Sequence, residues 1–124
     1  MGSLIPVYVI DDDEGMLEST QFLLQALGIQ SNVYSDPLAF LRAVGTLDPG
    51  CILTDLHMPS MSGIELRAAL TARGIDWPFI LMSGNADVED RRPGAGILDL
   101  IEKPFTRGRL LAVLERAFAA LGHA

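Results

Sequence analysis

Val7-Tyr8-Val9-Ile10-Asp11-Asp12-Asp13 is the stretch on which the fold turns. Its first four residues are apolar at every position, as expected of a short strand buried on both faces. Strands of that kind belong to parallel sheets covered by helices. The run then stops on three carboxylates. Three later runs share this build: Cys51–Thr54 ends in Asp55, Phe79–Met82 in Ser83-Gly84, and Leu98–Ile101 in Glu102-Lys103-Pro104. If all four are parallel strands of one sheet, their carboxyl ends lie along one edge. Asp11, Asp12, Asp55, Ser83 and Lys103 then converge there, where open α/β sheets bind their ligands.

The segments between these runs read as helices and one more strand. From Glu14 to Leu27, Met16, Leu17, Thr20, Leu24 and Leu27 recur at helical spacing, and Gly28 supplies a stop. Ile29–Tyr34 is the second strand. Asp36-Pro37 starts the next helix with an N-cap carboxylate and a proline at the first helical position, and Leu38, Leu41 and Val44 form its buried stripe. Ile64–Ala72 is a third helix ending at Gly74. Pro78–Met82 and Leu98–Ile101 are the last two strands, and Thr106 caps a final helix with Leu110, Val113, Leu114, Ala117 and Leu121 inward. A βα unit repeated about five times implies helices on both faces of a parallel sheet. By analogy with the flavodoxin-like class, the predicted architecture is a doubly wound (βα)5 fold with a five-stranded parallel sheet in the order 2-1-3-4-5.

Composition narrows the function classes. The 124 residues read as a single domain over 1–124, with 49% hydrophobic and 20% charged residues, the balance of a soluble globular chain. No apolar stretch approaches the length of a membrane span, and the N-terminus does not resemble a secretory signal. The single cysteine, Cys51, sits in an apolar run; it excludes an internal disulfide and fits a reducing, cytoplasmic setting. A formal charge of −7 argues against nucleic-acid binding by this domain, which would need a basic face.

The converging residues point to a metal and a phosphoryl group. Crowded carboxylates resist ionisation unless a cation is present, and oxygen-only ligands suit Mg²⁺. Taken alone, Asp11–Asp13 also reads as a solvated turn with an N-cap, and Ser83 before glycine is ordinary turn chemistry. Lys103 precedes Pro104, so that peptide bond has the chance to be cis, which would turn the strand end and aim the amine inward.

The chain resembles a response-regulator receiver domain of bacterial two-component signalling over nearly its whole length. The resemblance rests on Val7–Asp13, on Leu53-Thr54-Asp55-Leu56-His57-Met58-Pro59 with Gly63, on Met82-Ser83-Gly84, and on Ile101-Glu102-Lys103-Pro104-Phe105. The second and last segments are especially similar to receivers of the nitrogen-fixation and LuxR-like regulators. The resemblance implies that Asp55 accepts a phosphoryl group from a histidine kinase. Asp12 and Asp55 would bind Mg²⁺ directly, Asp11 through water, and the backbone carbonyl of His57 would complete the protein ligands. Lys103 would pair with phosphoryl oxygens and Ser83 would donate a hydrogen bond to one. Such a domain catalyses its own phosphorylation and dephosphorylation but is a signalling switch, not a metabolic enzyme. Its partners would be a sensor histidine kinase or phosphotransfer protein and a downstream effector domain or protein. A homodimer, and a longer regulator of which residues 1–124 form the N-terminal part, stay open.

The chain departs from the family pattern in places. Leu100 stands three positions before Lys103, where the family usually has an aromatic ring. Between Ser83 and Lys103, Pro93, Gly94 and Gly96 oppose a helix and no apolar stripe extends past Val88. The fourth helix of the family is therefore expected to be short or replaced by a loop. His57 and Asn85 are expected to fringe the pocket and tune water access. One rival reading is a pseudo-receiver that acts by protein contacts alone. Another is an aspartyl-phosphate phosphatase, for which Asp11 and Asp13 have the DxD spacing; it requires neither Lys103-Pro104 nor the Asp55–Pro59–Gly63 pattern. A flavin-binding reading conflicts with three carboxylates facing a flavin phosphate.

Overall fold

A computed structural model describes residues 5–84 and 96–121. Five parallel strands form one sheet in the order β2-β1-β3-β4-β5, as the sequence predicts. They are β1 (Val7–Ile10), β2 (Ser31–Tyr34), β3 (Cys51–Asp55), β4 (Phe79–Ser83) and β5 (Asp99–Glu102). The helices are α1 (Glu14–Ala26), α2 (Pro37–Ala43), α3 (Gly63–Ala72) and the C-terminal α4 (Arg107–Ala120), with a 3₁₀ turn at Val44–Thr46. The expectation of a short or missing helix between β4 and β5 falls on residues 85–95, outside the described residues.

Alternation along the strands sorts the core into two layers. Val7, Val9, Cys51, Leu53, Ile80, Met82 and Ile101 pack against Leu17 and Leu24 of α1 and Leu110, Val113, Leu114 and Ala117 of α4. Tyr8, Ile10, Ile52, Phe79 and Leu81 pack against Phe40 and Leu41 of α2 and Leu66 and Leu70 of α3. Successive strand residues point to opposite faces, so a continuous apolar run fills both layers. Each fully buried Leu, Ile or Phe contributes roughly 1.5–3 kcal/mol relative to exposure.

Polar residues fix where the helices start. Asp13, Asp36, Ser62 and Thr106 are the N-caps of α1, α2, α3 and α4, each accepting a hydrogen bond from a backbone amide of the first turn. Ser62 and Glu65 form a reciprocal capping box. Each such cap is worth about 1 kcal/mol. Gly28 and Gly74 follow α1 and α3 with φ of 76° and 77°, the left-handed conformation that stops a helix cheaply only at glycine.

One expectation is corrected. Leu38 does not belong to the buried stripe of α2: it is exposed, and Phe40 takes the inward position beside Leu41. The helix ends at Ala43 and Val44 continues as 3₁₀, so a seven-residue helix led by proline buries Pro37, Phe40 and Leu41.

Candidate functional site

The register of the sheet decides what meets at its carboxyl edge. Ile10 lies beside Thr54, Asp55 beside Met82, and Ser83 beside Glu102. The ladders run on past the strands: the Asp11 amide donates to the Tyr34 carbonyl at 3.1 Å, Leu56 to Met82 at 2.8 Å, and Lys103 to Ser83 at 2.8 Å. Asp11, Asp55 and Lys103 are thus held by main-chain hydrogen bonds at or next to the residues carrying the chemistry.

Asp11, Asp12, Asp55 and Lys103 come together in space. Carboxylate oxygens of Asp11, Asp12 and Asp55 lie within 4.8 Å of one another. Lys103 Nζ is 3.0 Å from Asp11 Oδ2 and 3.4 Å from Asp55 Oδ1. Asp11 is fully buried, Asp55 nearly so, and Asp12 exposed. The second oxygen of Asp11 accepts a hydrogen bond from the Asp13 amide at 3.0 Å. Asp13 itself turns away to cap α1, accepting from the Met16 amide at 3.2 Å. The acidic triplet therefore divides, with two residues at the site and one at the helix cap. Ser83 is buried at the end of β4, next in the chain after the residue paired with Asp55. The Lys103–Pro104 peptide bond is cis. His57 is exposed two residues beyond Asp55; Asn85 lies outside the described residues.

Among the described residues, the carboxylates at the site outnumber its cationic groups. Burial pushes the Asp55 carboxyl above its ordinary value; Lys103 pulls it down, and the charges of Asp11 and Asp12 push it up again. Burial also works against the Lys103 ammonium. The hydrogen bond to Asp11 and the charges of Asp11 and Asp55 outweigh that burial and leave its pKa raised. Three carboxylates face one ammonium. The donor set is all oxygen and partly open to solvent at Asp12, which fits a hard divalent cation such as Mg²⁺.

Two features near Asp55 have weaker sequence signals. Gly63 lies so close that a Cβ there would stand 2.7 Å from the Asp55 backbone oxygen and 2.6 Å from Leu81 Cδ2. Thr54, fully buried, places Oγ1 3.2 Å from the Asp55 backbone oxygen and 4.0 Å from Met58 Sδ. Apart from its place in the Leu53–Pro59 segment, its signal is a hydroxyl within an otherwise apolar run.

A parallel sheet with acids at its switch point and a lysine reaching them from the edge strand is a receiver architecture. The chain belongs to the response regulator receiver domain family, which matches residues 7–115. It is 41% identical to the transcriptional regulatory protein FixJ of Azorhizobium caulinodans, across 98% of this chain and 57% of that protein. It is 40% identical to FixJ of Bradyrhizobium diazoefficiens, across 90% of this chain and 55% of that protein. The chain thus spans little more than half the length of these curated relatives. Among solved structures, the crystal structure of FixJ-N superposes with a TM-score of 0.87 at 34% identity, covering 93% of this chain and 94% of that one. No helix among the described residues is long and apolar enough to cross a membrane.

Proposed function

We propose that this receiver accepts a phosphoryl group on Asp55 from the phosphohistidine of a sensor histidine kinase or phosphotransfer protein. It then passes the signal to a downstream effector domain or protein in the cytoplasm. The observation that carries this reading is the ammonium of Lys103 set between Asp11 and Asp55, two of three clustered carboxylates.

In the transfer, a carboxylate oxygen of Asp55 forms a bond to phosphorus as the phosphorus–nitrogen bond of the phosphohistidine breaks. The imidazole nitrogen leaves with the electron pair. A carboxylate is a weak nucleophile, so rate comes from positioning and from neutralising charge on the transferring group. Asp12, Asp55 and the backbone carbonyl of His57 would hold Mg²⁺ directly and Asp11 through water, and the ion would supply part of that neutralisation. Lys103 supplies the rest by pairing with phosphoryl oxygens, and Ser83 donates a hydrogen bond to one of them. Asp11, gripped through both oxygens by Lys103 and the Asp13 amide, keeps the amine aimed at Asp55.

Acetyl phosphate with Mg²⁺ tests this directly. Intact-mass measurement is expected to show one added phosphoryl group on the wild type and none on Asp55→Asn. A wild type that takes up no phosphoryl group overturns the reading in favour of a receiver acting by protein contacts alone.

A further inference from the structure

Thr54 sits in a place where its chemistry is conspicuous. The preceding β3 residues Cys51, Ile52 and Leu53 are apolar and fully buried, and Thr54 is equally buried. Valine would fill nearly the same volume without the cost of desolvating a hydroxyl. That hydroxyl has two acceptors in reach, the Asp55 backbone oxygen at 3.2 Å and the Met58 thioether sulfur at 4.0 Å. They lie on either side of His57.

The turn after β3 is otherwise held by its backbone at one residue. The Leu56 amide donates to the Met82 carbonyl at 2.8 Å, and the Leu56 carbonyl accepts from the Gly63 amide at 2.9 Å. Leu56 and Met58 are buried, while His57 between them is exposed. The direction of the His57 carbonyl is therefore set by how firmly its two neighbours are seated. Leu56 is fixed by two hydrogen bonds. Met58 has a flexible side chain whose thioether is a weak acceptor, so packing alone would seat it loosely.

We propose that Thr54 is a positioning residue for the cation site: its hydroxyl lies between the Asp55 carbonyl and the Met58 sulfur, donates its one proton to either, and so restrains the turn that presents the His57 carbonyl. The inference rests on the reading of Asp55, Asp12 and the His57 carbonyl as cation ligands. A carbonyl ligand has no rotamer to adjust, so tolerance in the turn passes directly into the coordination distance. Mg²⁺ is more sensitive to such tolerance than Ca²⁺, because it demands near-ideal geometry. Thr54 touches neither the ion nor the phosphoryl group and acts only through the main chain.

The test is Mg²⁺ titration by calorimetry on wild type, Thr54→Val and Thr54→Ser, with urea denaturation of each in the absence of Mg²⁺. Thr54→Val is expected to weaken Mg²⁺ binding about five-fold, the worth of one hydrogen bond of ordinary net strength. Its unfolding midpoint is expected to fall slightly, as the loss of one satisfied buried hydrogen bond requires, with the domain still folded. Thr54→Ser is expected to bind within about two-fold of wild type. In acetyl phosphate labelling, Thr54→Val should need more Mg²⁺ for half-maximal rate, with the loss recovered at saturation. Wild-type affinity in Thr54→Val, or equal weakening in Thr54→Ser, overturns this inference alone. A wild type that binds no Mg²⁺ overturns the cation-site reading and this inference with it.

Discussion

Thr20 is buried on α1, in the stripe with Leu17 and Leu24, and its hydroxyl finds no hydrogen-bond partner among the described residues. It holds a position in the apolar stripe by shape, with the polar atom as a penalty. Threonine and valine have similar helix propensities, so Thr20→Val changes little but that atom. The substitution is expected to stabilise the domain by about 1 kcal/mol, read from the shift of its urea midpoint. Thr54 is the instructive contrast, since its buried hydroxyl has partners and lies beside the site. Gly63 shows the opposite sensitivity. With 2.7 Å available to the Asp55 backbone oxygen and 2.6 Å to Leu81, a Cβ cannot enter without moving main chain under Asp55. Gly63→Ala is expected to cost about 1–3 kcal/mol of stability. It should also slow acetyl phosphate labelling of Asp55, because the displaced atom belongs to the acceptor residue.

At the scale of elements, apolar runs, helical spacing and caps placed the five strands and four α-helices to within two residues but not the 3₁₀ turn at Val44–Thr46, and the strands extend differently from the runs. Asp55, Ser83 and Glu102 are strand residues, because the ladder continues while apolarity stops. That mismatch is what makes the site: the sheet supplies rigid backbone to residues whose side chains are no longer core. The acids and Lys103 were legible because each ends a run. Arg67 was not, because its partners lie elsewhere in the chain. Its guanidinium is buried on α3, donates to the Ile75 carbonyl at 3.2 Å and to Asp76 at 3.0 Å, and stacks 5.7 Å from the centroid of the Phe79 ring. Gly96, with φ of 82°, packs directly on that guanidinium, and a Cβ there would run into Nη2 and stand 2.6 Å from Nε. A long side chain usually yields at its tip, but this tip is pinned. Gly96→Ala is therefore expected to cost about 2–3 kcal/mol, from left-handed backbone and overpacking together. In an Arg67→Leu background the packing part should vanish, leaving about 1 kcal/mol. Equal costs in both backgrounds, measured by denaturant titration, would refute the clamp between α3 and the entry to β5.

The whole molecule carries a formal charge of −7 and concentrates three carboxylates at one end of its sheet. Without a cation, burial acts most strongly against the charged form of Asp55 and the charges of Asp11 and Asp12 add to it; Lys103 offsets those two charges but not the burial as well. Folding brings these charges together and unfolding separates them, so their repulsion weighs on the folded state alone. A cation that binds the cluster relieves the repulsion, and the linked stabilisation, that relief included, is about 2.7 kcal/mol at about 100 times its dissociation constant. Mg²⁺ is thus expected to raise the Tm of this domain by several degrees, with the rise following concentration. Asp12 distinguishes this account from a general salt effect. It is exposed, so Asp12→Asn removes charge from the cluster without disturbing the core. The variant is expected to melt higher than wild type in metal-free buffer and to lose most of the Mg²⁺-dependent rise. Differential scanning calorimetry at constant ionic strength measures both. A variant that melts lower without metal would show that Asp12 does not repel its neighbours, and one that keeps the full rise would show that it does not hold the ion.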